Sequence, residues 1–172
     1  MELNSFLAIV ISVLIVTLGV YFCIQALIKS QSDRKLWDQK LAHHQLITPL
    51  RLQAYERMCL YLERITPNNL LLRTVGSAST APELHQLLIR EIREEFNHNL
   101  AQQIYIGIDA WEMVRKAKED VIATINLANQ ELEEDASATD LARKIMKQVI
   151  EKGTPSITVA LELLKKEIQV LF

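Results

Sequence analysis

Residues 49–67 read PLRLQAYERMCLYLERITP, and the spacing of their apolar side chains decides the fold. Leu52, Tyr55, Cys59 and Leu62 recur at intervals of three and four, and Ala54, Met58, Tyr61 and Ile65 form a second such row beside them. At about 100° per residue the two rows merge into one wide apolar helix face. The opposite side carries Gln53, Glu56, Arg57, Glu63 and Arg64, polar or charged, with Leu60 in their midst. A helix of this kind needs other helices to cover its apolar side.

Those helices follow in the sequence. Trp111, Val114, Val121, Ile125, Ala128 and Leu132 keep the same spacing, interrupted by Lys118, and Ile157, Leu161, Leu164, Ile168 and Leu171 repeat it near the end. Prolines and caps cut the chain between them, so one continuous coiled coil is excluded. Thr48 before Pro49 and Thr154 before Pro155 read as N-caps with proline at the first helical position. Ser79 or Thr80 precedes Pro82, with Glu83 completing a capping box if Thr80 is the cap. Asp109 with Glu112, and Ser137 with Asp140, mark two further starts, and Gly153 is placed to close a helix. The reading predicts about five helices, near 49–65, 82–103, 110–133, 138–152 and 155–171. Two β-leaning runs, NLLLRTV (69–75) and QIYIGI (103–108), are compatible with a short strand pair or with helical turn and connector.

Upstream lies a different kind of sequence. Nothing between Leu3 and Ile28 is charged, and as a helix this run spans about 39 Å, enough to cross a hydrocarbon core of ~30 Å. A cleaved signal peptide would begin basic and end at small residues, whereas this segment begins with Glu2 and ends in QALIKSQSDRK. A buried helix of a soluble protein is the remaining alternative. Lys29, Arg34, Lys35 and Lys40 all follow the run and no base precedes it, which orients an anchor with its N-terminus out and the rest of the chain in the cytoplasm. Trp37 suits either an anchor in the headgroup layer or a position about 14 Å beyond Ile28 on a continuing helix. The expected organisation is an anchor over 1–28, a juxtamembrane helix or linker over 29–47, and a helical domain over 48–172.

Composition excludes several functions. All 19 Lys and Arg lie after residue 28, against 20 of the 21 acids, which leaves that part at net −1 and without the footprint of a nucleic-acid binder. Cys23 falls in the apolar run and Cys59 in a reducing compartment, so no disulfide is expected. No G-x-S-x-G elbow occurs, and four glycines cannot build a phosphate-cradling loop.

One motif has the look of a metal site. Glu95 and His98 in REEFNH have the Glu-x-x-His spacing of di-iron bundles, with Glu91 and Glu94 on the same side of the helix. Such a site needs a second motif, which one chain lacks, and this face points away from Ile92 and Phe96. A solvated face is the simpler reading, and no metal or other cofactor is expected. His85, on the apolar side of that helix, reads as a hydrogen-bonded core residue. His43 and His44 have no neighbours that complete a ligand set. For Gln53, Glu56, Arg57, Leu60, Glu63 and Arg64 the simpler reading is again a solvated face, and the alternative is a partner-binding one.

The segments TPLRLQAYERMCLYLERITPNNLLLR and REEFNHNLAQQIYIGIDAWEMVRKAKE resemble a family of uncharacterised single-pass membrane proteins of Bacteroidota. LRLQAYER, LER, HNLAQQIY and Trp111 carry the likeness, which extends to the N-terminal run and to ALELLKKEIQVLF at the end. It implies an inner-membrane setting and no reaction, substrate or cofactor. The resemblance implies that relatives often carry an acid where this chain has Asn97, a departure that slightly weakens the carboxylate-cluster idea.

The expectation is an all-α, membrane-anchored, non-enzymatic interaction or assembly module that meets the lipid bilayer and a protein partner or itself. The alternatives are a peripheral-stalk subunit resembling the b subunit of ATP synthase and a bundle-type metal-dependent enzyme.

Overall fold

The computed structural model describes residues 14, 16–25, 29, 47–133 and 135–170. The chain divides into two units, Met1–Ile47 and Thr48–Phe172. In the first, residues 16–25 are helical and all their side chains are exposed, including Leu18, Phe22 and Ile24. Among the described residues no helix is long and apolar enough to cross a membrane. The expected span of 3–28 extends beyond the described stretch, and of its flank only Lys29 is described; Arg34, Lys35, Trp37, Lys40, His43 and His44 lie outside the described residues.

The second unit is all-α. Helix α1 (47–64) buries Ala54, Tyr55, Met58, Tyr61 and Leu62, followed by Ile65 in the turn, so the two apolar rows merge as their spacing predicts. Each fully buried Leu or Ile contributes roughly 1.5–3 kcal/mol, which makes this face the reason the helix docks. Leu52 departs from the prediction and is 43% exposed. Thr48 is already helical and therefore does not act as the expected cap. The helix ends at Arg64, and in the turn after it the Thr66 hydroxyl bonds back to the Glu63 carbonyl at 2.8 Å.

Pro67 then starts a helix that the five-helix reading lacks. Helix α2 (Pro67–Thr74) turns the NLLLRTV run inward through Leu70, Leu71 and Thr74, and a 3₁₀ turn follows at Val75–Ser77. The second β-leaning run is the end of a 3₁₀ turn followed by a short connector: helix α3 (Ala81–Asn99) tightens into 3₁₀ over Leu100–Ile104 instead of running to 103 as α-helix, and residues 105–107 link it to the next helix. No strand forms among the described residues. The proline at N1 and the single-sided burial of α2 decide it, because a strand would have needed a partner along its whole length.

Helix α4 (Ile108–Gln130) is the hub, packing on α3, on α5 (Ala138–Lys152) and most extensively on α6 (Pro155–Gln169). Alanines at 110, 117, 128 and 160, all fully buried, let these helices approach closely. Lys118, the residue that breaks the apolar row of α4, holds its ammonium 4.3 Å from the centroid of Phe96, and Phe96 stacks on Trp111 at 5.4 Å.

Both expected capping boxes form. Thr80 and Glu83 cap α3, Ser137 and Asp140 cap α5, and each box holds its carboxyl below the usual range, chiefly through hydrogen bonds accepted at the cap. The two caps also pair with each other, with Ala81 N–H on the Ala136 carbonyl at 2.9 Å and Ala138 N–H on the Ser79 carbonyl at 3.1 Å. Those helix N-termini therefore spend their donors on the fold. Helix α4 starts from Gly107 and not from Asp109, and Gly153 ends α5 at φ +70°, where glycine is favoured.

Candidate functional site

All six residues assigned to the outer side of α1 are exposed: Gln53, Glu56, Arg57, Leu60, Glu63 and Arg64. Five of them, all but Glu63, line a groove of about 410 Å³ closed on its other side by Glu95 and Asn99 of α3. Leu60 is 56% exposed there, an aliphatic side chain in a charged surround. Arg64 reaches Glu95 at 3.3 Å across the groove, and Asn99 turns its amide back onto the Glu95 carbonyl at 2.8 Å. Glu56 and Arg57 make no ion pair among the described residues, so their charge is available to something else.

The described lining of the groove contains no cysteine, histidine, serine or tyrosine. Cys59, half-buried on the core side of α1, has its thiol pushed up mainly by burial, which disfavours the thiolate that nucleophilic chemistry needs. The Tyr61 hydroxyl, buried beside Phe96, is pushed far up by desolvation and has no hydrogen-bond partner among the described residues. Both shifts favour the protonated form of the group.

The carboxylate and histidine candidates do not converge. Glu95 belongs to the α1 groove, whereas Glu94 lines a separate one with His85, Arg90 and Arg93 against Ile122 of α4; His98 is exposed and Glu91 half-buried. Among the described residues no three His, Cys, Asp or Glu side chains are placed to hold a metal ion. His85 has its Nε2 2.7 Å from the Asn126 Oδ1, the partner a half-buried histidine requires.

A polar cluster at the start of α1 was not expected. The Tyr55 hydroxyl donates to the Glu167 carboxylate of α6 at 2.9 Å, and the backbone N–H of Gly107 donates to the same oxygen at 3.1 Å. Arg51 donates through Nε to the Tyr105 carbonyl at 3.2 Å and reaches the Tyr55 oxygen at 3.4 Å. Burial and the bond to Glu167 both push the Tyr55 phenol up. A Cβ at position 107 would run into the Glu167 carboxylate, so the glycine is there for close approach.

A family model matches residues 1–171. The chain belongs to DUF7935, a family of unknown function. No curated protein and no solved structure matches it. The DUF7935 match runs through both units, so the apolar N-terminal run and the helical unit are one family unit in sequence. It brings no reaction to this chain, and the residues themselves must carry the functional argument. Of those residues, the α1 face is legible from its spacing alone. Glu167 carried a weaker signal, an acid three residues after Leu164 and seven after Ala160, on the buried side of α6.

Proposed function

We propose that this DUF7935 protein is a non-enzymatic interaction or assembly module, anchored in a Gram-negative inner membrane by residues 3–28 with its helical unit on the cytoplasmic side. The anchor is supported by an uncharged run of 26 residues followed by Lys29, Arg34, Lys35 and Lys40, and by the exposure on every side of the helical stretch 16–25. The carrying observation for the module is the α1 groove, where the exposed Leu60 sits between Arg57 and Arg64. Its occupant is a protein segment that offers an apolar side chain to Leu60 and a carboxylate to the unpaired Arg57.

A stalk of the ATP-synthase type needs one long uninterrupted helix, and the longest described helix here has 23 residues within a folded-back bundle. A metal enzyme needs convergent ligands, and Glu94 and Glu95 line different grooves.

The test is in-cell crosslinking of the tagged full chain, solubilisation in mild detergent and mass spectrometry of what is recovered. A reproducible partner that is lost with Leu60→Glu, at unchanged helicity and melting temperature, supports the reading. Recovery of the same partner with Leu60→Glu would sink the groove as its site.

A further inference from the structure

The bundle end at which α1 begins carries three of the most exposed aliphatic side chains in the helical unit. Ile104 is 74% exposed, Ile108 81% and Val170 82%. Of the other large aliphatics there, only Leu72 and Ile150 reach comparable exposure among the described residues, at 75% and 79%. Their shared location follows from the polar cluster: Arg51 of α1 pins the Tyr105 carbonyl and Glu167 of α6 pins the Gly107 N–H; Ile104 and Ile108 adjoin the bonded residues, and Val170 lies three residues after Glu167. Leu52 and Leu100, at 43% and 42% exposure, lie on the same segments. The backbone that presents the three is thus held by side-chain bonds from two helices, and a well-fixed apolar tip is left in solvent.

We propose that this tip, formed by Ile104, Ile108 and Val170, rests in the headgroup layer of the bilayer. The inference depends on the anchor assigned to residues 3–28. The bundle takes up the chain at residue 47, at the same end as the tip, and residues 29–46 amount to 18 positions, which can reach at most about 65 Å. A tether of that length keeps the tip at a high effective concentration next to the surface. Three aliphatic side chains are too few to recruit a free protein to a membrane, but they suffice to orient one already attached. Charge at this end is mixed, Arg51, Lys165 and Lys166 against Asp109 and Glu167, so the contact is apolar and insensitive to salt.

The full chain, with Cys23 and Cys59 replaced by alanine, would carry a single cysteine at 104, 108 or 72, labelled with an environment-sensitive fluorophore and reconstituted into phosphatidylcholine vesicles. Headgroup-nitroxide lipid is expected to lower emission from positions 104 and 108 by roughly twofold or more while leaving position 72 unchanged, at low and high salt alike. Carbonate washing of the same vesicles reads the anchor separately. Protein that stays with the membrane while 104 and 108 remain unquenched overturns the docking alone. Probes shielded from aqueous iodide yet unquenched by nitroxide lipid overturn it too, because a protein surface then covers the tip. Release of the chain by carbonate overturns the anchor and the docking with it.

Discussion

Helix α1 uses the same kinds of side chain in two ways along its length. Near its start, Arg51 and Tyr55 are tied to Tyr105, Glu167 and Gly107, with the Tyr55 ring only 1% exposed. Toward its end, Arg57 and Arg64 stand in the groove, and the one ion pair there, Arg64 with Glu95, has side chains 52% and 26% exposed. Burial separates the two regions. A polar group that has lost its water is as a rule bonded within the fold, the Tyr61 hydroxyl being an exception here, whereas one that keeps its water is free to exchange it for a partner. The start of α1 is therefore structural and the groove is available.

The largest expected effect comes from breaking the buried region. Glu167→Ala removes the acceptor of both the Tyr55 hydroxyl and the half-buried Gly107 N–H, and leaving the buried hydroxyl without its acceptor costs about 1–3 kcal/mol. Gly107→Ala should reproduce much of that loss, because the new methyl displaces the same carboxylate. In a Glu167→Ala background the glycine substitution should then cost almost nothing. Urea titration of the four chains in detergent gives this cycle directly, and additive losses would show that the two residues act independently.

Two tyrosines one helical face apart sharpen the contrast. Tyr55→Phe removes a bonded hydroxyl and should destabilise by about 1 kcal/mol, whereas Tyr61→Phe removes a buried hydroxyl with no partner and should be neutral or stabilising by a similar amount. A loss at Tyr61 equal to that at Tyr55 would mean that its hydroxyl is bonded in solution.

How far the sequence speaks follows the same division. The two faces of α1, the boxes at Thr80 and Ser137 and the stop at Gly153 depend on residues within one helix or one turn, and all can be read locally. The cluster cannot. Tyr55 and Glu167 lie 112 positions apart, and Tyr55 takes its place in an apolar row because its ring is buried there. Helix α2 was ambiguous since three successive leucines carry no period and its start has Pro67 but no side-chain cap bond. Glu94 and Glu95 share a helix side in sequence, but α1 and α4 approach α3 from different directions and divide them.

The smallest effect is the one that tests the groove. Exposed ion pairs contribute about 0–1 kcal/mol because water and salt screen them and two long side chains must be held still. Arg64→Ala should therefore change stability by no more than about 0.5 kcal/mol, and the change should shrink further at high salt. Glu95 would stay solvated at the groove wall, since its side chain keeps access to water without the arginine. A loss well above that figure, persisting in salt, would mean that the Arg64–Glu95 pair holds α1 to α3 as Glu167 holds α1 to α6. The groove would then be part of the scaffold, and the division of α1 into a fixed half and an available half would fail.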